Sequence, residues 1–144
     1  MNYIKSVKSW NPHFALGYDY KNTFGVTTSF DYYIYSNNDT TTSYLPNLDL
    51  NASFYYNWKD KLFVNLGMQY LGKMNGVEAT TTPNLYNINK IDGVIDLNIS
   101  ASYFINKHIG FFIDLNNFGF QKYQRFYQYP TYGFQAIGGV KISY

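Results

Sequence analysis

Two histidines, His13 and His108, and three aspartates, Asp49, Asp96 and Asp114, are the side chains here best suited to chemistry. Imidazole and carboxylate groups together make metal sites. Paired carboxylates can also hold a cation or work as acid and base. The spacing argues against a shared metal, because His13 precedes the first clear strand whereas His108 opens a later one after a tight turn. The two read as residues of opposite rims. The aspartates fall in the polar phase of three strands, where hydrogen bonding to neighbouring strands is the plainer role. No Ser-His-Asp motif, nucleophile elbow or phosphate-binding glycine loop occurs. Cysteine is absent, which excludes disulfides and thiolate metal sites. Three glycosylation sequons, at Asn38, Asn51 and Asn98, are matched by chance, and two of them lie inside strands. The aromatic stretch from Phe118 to Tyr132 could stack on a ligand such as a sugar, but packing on a rim explains it as well. No catalytic residue, metal or cofactor is expected, and no residue argues for an enzyme.

The elements that carry these residues repeat with a period of two. Phe14, Leu16, Tyr18 and Tyr20 alternate with Ala15, Gly17 and Asp19. The same alternation runs through Phe24–Ile34, Leu48–Trp58, Leu62–Tyr70, Ile95–Tyr103, Ile109–Leu115 and Tyr132–Tyr144. This predicts roughly seven strands with one apolar face each. Lys21-Asn22, Lys59-Asp60-Lys61 and Ile105-Asn106-Lys107 read as tight hairpin turns. Ser36–Pro46, Lys73–Lys90 and Asn117–Pro130 read as long loops. Short turns on one rim and long loops on the other describe a transmembrane β-barrel, with short periplasmic turns. On this reading the strand from Phe14 starts at the extracellular rim, so another must precede it. Asn2–Lys8 is the candidate, and brings the count to roughly eight.

Alternation alone leaves open whether the apolar face is buried, as in a soluble lipocalin-like barrel, or turned to lipid. Composition favours lipid. Charged residues make up 14% of the 144 residues, and Glu occurs once, at Glu78. An average soluble domain carries about 25% charged residues. The polar face is Asn, Ser, Asp, Gly, Thr and Gln, and lacks the Lys and Glu of a solvated surface. Lysines gather instead at turns and loops: Lys21, Lys59, Lys61, Lys73, Lys90, Lys107 and Lys122. Aromatics are 22% of the chain and collect at strand ends, among them Tyr18, Tyr20, Tyr56, Trp58, Tyr70, Tyr103 and Tyr144. Amphipathic rings prefer the lipid–water boundary. A net charge of +2 is too small to argue for nucleic acid, no basic run is there to neutralise phosphates, and no nucleic-acid partner is expected. No apolar stretch of about 18 residues predicts a membrane helix. Met1–Trp10 lacks the apolar core of a signal peptide, so a trimmed or incomplete beginning is expected.

The C-terminal third carries Leu115-Asn116-Asn117-Phe118, Lys122-Tyr123, Arg125-Phe126, Tyr129-Pro130, Gly133-Phe134, Gly138-Gly139 and terminal Tyr144. This run resembles the C-terminal end of outer-membrane barrels of Bacteroidetes-type bacteria, many of them TonB-dependent receptors or TonB-receptor-like proteins. Gly139, Ile142 and Tyr144 also resemble the signal read by the barrel-assembly machinery. Ile137 departs from it, standing where that signal has a polar residue. The resemblance implies a nutrient transporter of the bacterial outer membrane. Residues 1–144 would be the C-terminal wall of a larger barrel, without its plug domain. The partners implied are outer-membrane lipid, the assembly machinery, and a TonB-type energising protein reached through a plug outside these residues.

The expected fold is therefore all-β: an antiparallel, up-and-down transmembrane barrel wall of about seven or eight strands. Asp49, Asn65, Asp96 and Asp114 are expected to face the lumen. A small complete eight-stranded barrel with a structural or adhesive role, and a soluble lipocalin-like ligand-binding barrel, are the alternatives.

Overall fold

The computed structural model describes residues 8–36, 43–79, 86–120, 124–126, 129–130 and 133–143. In chain order its strands are β1 (Ser9–Trp10), β2 (His13–Tyr20), β3 (Phe24–Tyr32), β4 (Ile34–Tyr35), β5 (Leu48–Trp58), β6 (Leu62–Leu71) and β7 (Met74–Ala79). They continue with β8 (Tyr86–Ile91), β9 (Val94–Phe104), β10 (Ile109–Asn116), β11 (Gln124–Phe126), β12 (Tyr129–Pro130) and β13 (Gln135–Ile142).

Seven of these form one antiparallel sheet in the order β2-β3-β5-β6-β9-β10-β13. These are the seven strands expected from the alternation. Each lies beside its predecessor, so the sheet is an up-and-down meander with β2 and β13 as its edges. The seven run from 8 to 11 residues. A tilted strand needs about 9–11 to cross a bilayer.

Register keeps the two phases apart across the whole sheet. Phe30 stands opposite Phe14 and Leu50, Leu66 opposite Phe54 and Ile99, and Phe111 opposite Tyr103 and Val140. Thr27 stands opposite Ser53, and Asn65 opposite Tyr55 and Ser100. A slip of one residue between any two strands would mix the faces. The tight turns fix this register. Lys21 and Asn22 have φ of 48° and 54°, and Lys59 and Asp60 of 51° and 54°. Two successive positive φ values make the primed turns whose twist matches that of a hairpin. In the third turn Asn106 Oδ1 accepts from the amides of His108 and Ile109, each at 2.9 Å.

Three expectations need correction. The segment Lys73–Lys90 is no simple loop, since β7 and β8 pair within it from Met74↔Ile91 to Ala79↔Tyr86. β11 and β12 likewise pair inside the stretch expected as the third loop. Ile34 leaves the long third strand, because β4 turns away to pair with β1 in a small separate sheet. The reason is local: Tyr33 N–H is taken by Asn47 O at 2.9 Å, and Ser36 N–H by Lys8 O. The proposed eighth strand lies, apart from Lys8, outside the described residues, as do the sequon at Asn38 and the aromatics Tyr132 and Tyr144.

Packing is concentrated at one place. The buried apolar residues among those described are Met74, Ile91 and Val94, at 6%, 8% and 5% exposure. They sit where the β7–β8 hairpin rises from β6 and β9. Tyr44 straps the preceding loop onto that hairpin. Its N–H donates to Asn75 O at 2.7 Å, and its hydroxyl donates to Val77 O at 2.9 Å while accepting from Val77 N–H at 3.1 Å.

Candidate functional site

The apolar face of the sheet is uncovered. Phe14, Leu16, Tyr18, Val26, Phe30, Leu66, Met68, Ile95, Phe111, Ile113 and Val140 are all exposed. They form a continuous band from one edge to the other. A soluble protein seldom exposes an apolar patch beyond a few hundred Å². Rings mark both ends of the band. Tyr18, Tyr20 and Phe24 cluster at the short-turn end, with centroids 5.5 and 6.1 Å apart. Phe118, Phe120 and Phe134 do so at the other, at 4.8 and 6.1 Å.

The opposite face is a hydrogen-bonded layer with two unlike halves. Toward the long-loop rim it is acidic. Asp49 on β5 accepts from Asn51 Nδ2 at 3.0 Å and Gln69 Nε2 at 3.2 Å, and its cross-strand partner on β3 is Asp31. Asp31 in turn meets His13 Nδ1 at 2.8 Å. Asp96 stands opposite Gln69, and Asp114 on β10 accepts from the hydroxyl of Ser100. The expected lumen residues Asp49, Asn65, Asp96 and Asp114 thus share one face, spread over four strands. Asp49 accepts from two side-chain amides and Asp114 from one hydroxyl, and the two lie on strands separated by β6 and β9, so they do not form a pair. His13 and His108 lie at opposite rims. His108 Nδ1 is 2.9 Å from Ser143 O beside the short turns.

Toward the short turns the same face becomes aromatic. Tyr55, Phe63, Phe104 and Phe112 occupy polar-phase positions, and Tyr55 donates its hydroxyl to Asp19. Lys141 spans the half, with its Nζ 3.2 Å from Ser102 Oγ and over the rings of Phe104 and Phe112 at 5.8 and 5.4 Å. Sequence reasoning did not single out this cluster. The signal was present, since Phe63, Phe104 and Phe112 each put an aromatic side chain where a polar one belongs.

Of the expected C-terminal signal residues, Gly139 pairs with Phe112 on the polar face. Ile142 pairs with Ile109 on the apolar face and is 73% exposed. Tyr144 lies outside the described residues. The departing residue Ile137 stands opposite Asp114, an exposed apolar side chain in the polar layer. Outside the sheet, burial and then the neighbouring Tyr33 phenol push the Tyr35 hydroxyl above its ordinary range, and it donates to Pro46 O at 2.9 Å.

No family model matches this chain, and no curated protein does. Solved structures do. The ferripyoverdine receptor of the outer membrane of Pseudomonas aeruginosa superposes with a TM-score of 0.78 at 17% identity, over 94% of this chain and 19% of that one. The siderophore receptor PirA from Acinetobacter baumannii gives 0.72 at 19% identity, over 90% of this chain and 21% of that one. The ferric-catecholate import receptor Fiu from K12 E. coli gives 0.70 at 15% identity, over 90% and 20%. The likeness is one of fold, and the chain spans about a fifth of the length of each receptor.

Proposed function

We propose that residues 1–144 are the C-terminal wall of a bacterial outer-membrane β-barrel, in a TonB-dependent-receptor-like importer of the Bacteroidetes type. The observation that carries this reading is the bare apolar face. Seven strands in register present it to the outside without a core behind it. Lipid is the medium in which such a face is stable. The fold likeness to three siderophore receptors supports the importer class and makes a ferric siderophore-like nutrient the cargo to test first.

In this role the wall does three things. Its apolar face anchors the protein in lipid. Its polar layer, with Asp49, Asn65, Asp96 and Asp114, lines the lumen or receives a plug from outside these residues. The long-loop rim captures the nutrient on the extracellular side. Gly139, Ile142 and Tyr144 serve as the signal for the barrel-assembly machinery, and the plug links the barrel to a TonB-type energising protein. β2 and β13 are not joined to each other among the described residues, which favours a wall within a larger barrel over a small closed one.

Two adjacent residues test the facing. Leu66 is exposed on the apolar face and Asn65 on the polar face of the same strand. An arginine near the bilayer midplane on the lipid side costs about 2–4 kcal/mol. Leu66→Arg should block insertion, while Asn65→Arg inserts normally. Insertion is read by protease protection of cells expressing each variant. Equal insertion of both sinks the assigned facing.

A further inference from the structure

Near the short turns, the polar phase of the sheet carries an apolar floor. Tyr55, Phe63, Phe104, Phe112 and Ile137 stand in that phase on β5, β6, β9, β10 and β13, five strands that are neighbours in the sheet. Three of the rings lie across a glycine of the adjoining strand: Tyr55 on Gly25, Phe104 on Gly110 and Phe112 on Gly139. A ring laid along the sheet makes a floor and does not fill the space above it. Phe63 meets Phe104 edge to face, with centroids 6.0 Å apart at 89°. All four rings are half-buried, and Ile137 is 54% exposed. Lys141 is exposed and lies on this floor, its Nζ over the rings of Phe104 and Phe112. Asp19, Asp49 and Asp114 each accept from a side chain of the same face, and Asp31 meets His13. No carboxylate pairs with Lys141 among the described residues.

We infer that this floor seats a polypeptide segment inside the lumen, one that sets a carboxylate against Lys141 and apolar side chains on Phe104, Phe112 and Ile137. The inference rests on the membrane-wall reading above. On that reading the floor faces away from lipid, so lipid does not cover it. Water is a poor cover too. The interior of a water-filled barrel is polar, and a broad apolar patch on a wetted surface marks an interaction site. Breadth also argues against a passing solute. Neighbouring strands lie about 4.8 Å apart, so five of them span on the order of 20 Å, wider than a small nutrient covers at one time. Charge selects the partner. The Lys141 ammonium is held by ring faces and one hydroxyl, Ser102 Oγ at 3.2 Å. A segment without a counter-charge would bury it as a lone cation, which is costly, and a carboxylate on the segment removes that cost. Toward the long loops the same face holds His13, Asp31, Asn51, Gln69 and Asp96 instead, and that half is left to water and cargo.

Thiol labelling tests the seat in the whole polypeptide that carries these residues. It is done in outer-membrane fragments open to reagent from both sides, without added nutrient. Residues 1–144 hold no cysteine, so one is introduced at a time and read above the background of the parent. Ile137→Cys reports the seat, Ser29→Cys the lumen face near the long loops, and Val140→Cys the apolar face. With membrane-impermeant methanethiosulfonates, Ile137→Cys should react at least about tenfold more slowly than Ser29→Cys, as a site does that reacts only when its cover opens. Lys141→Glu sets like charges face to face and should bring the two rates within about twofold, whereas Lys141→Arg keeps them apart. The gain should be the same for a cationic and an anionic reagent. Equal rates at 137 and 29 in the parent, or protection that survives Lys141→Glu, overturns the proposal while the wall reading stands. Opposite changes for the two reagents also overturn it, because they trace to the local field alone. Val140→Cys stays unreactive in every variant, which checks insertion. Fast reaction there in the parent removes the assigned facing, and with it the premise of a lumen seat. If Lys141→Glu fails to insert, Lys141→Gln takes its place, and no gain in its labelling at 137 overturns the proposal equally.

Discussion

Phe112 lies over the backbone of Gly139, its partner across the last hairpin. A Cβ on Gly139 would stand 2.6 Å from Phe112 Cε1, closer than real Cβ atoms come. The same geometry recurs at Gly110, where a Cβ would stand 2.7 Å from Phe104 Cδ1. Glycine at 139 therefore has a steric reason as well as its resemblance to an assembly signal, and a double-mutant cycle separates the two. Gly139→Ala should destabilise the sheet by about 1–2 kcal/mol through overpacking. In a Phe112→Ala background the cost should fall by about 1 kcal/mol, because the ring that clashes is gone. Urea unfolding from vesicles measures both. Strict additivity leaves the signal as the reason for the glycine. The pairing was not readable in advance. That Asp49, Asp96 and Asp114 share a face follows from period two within each strand. That Phe112 meets Gly139 depends on the register of two strands separated by a long connection, which no local pattern encodes.

The seven long strands were legible because each repeats an apolar phase with period two, interrupted only at Thr28 in β3 and Gly138 in β13, which a helical period does not imitate. The hairpin of β7 and β8 was not. Its strands read Met-Asn-Gly-Val-Glu-Ala and Tyr-Asn-Ile-Asn-Lys-Ile, and neither has a clean apolar face. Met74 and Ile91 become buried only once the strands pair, so the information is in the partnership and not in either segment. The turns show the reverse, where sequence gave the position but not the strain. Lys21 adopts φ of 48° although it carries a Cβ. The left-handed region costs such a residue about 1–2 kcal/mol, and Asn-Gly suits this turn better. Lys21→Asn combined with Asn22→Gly should raise stability by about 1 kcal/mol, seen as a higher denaturant midpoint with an unchanged slope. Lys21 Nζ also sits 5.3 Å over the Tyr20 ring. A gain of zero would mean that this cation–π contact offsets the strain.

At the scale of the whole molecule, the described residues of the sheet have no covered core to stabilise them. Among the described residues the buried apolar side chains are Met74 and Ile91 of the β7–β8 hairpin and Val94 at its junction with β9, and the strands of the sheet turn one face to the surroundings and the other to a polar layer. On the proposed wall reading, lipid supports the sheet on one side and further strands complete it at its edges. An edge strand leaves a row of unpaired amide and carbonyl groups, which in hydrocarbon costs several kcal/mol per group. On that reading β2 and β13, the edges of the sheet, are the places where further strands would pair. Amide hydrogen exchange in micelles reads this directly. In the 144-residue chain alone, the outward amides of β2 and β13 should exchange orders of magnitude faster than those of β5, β6 and β9. In a longer polypeptide that supplies flanking strands, both edges should become as slow as the centre. Slow exchange at both edges in the isolated chain would mean that it closes on itself, and the small complete barrel would replace the receptor wall. Full solubility without detergent, with the apolar face protected, would place that face inward as in a lipocalin-like barrel, because only burial against protein could keep Leu16, Phe30, Leu66 and Phe111 out of water.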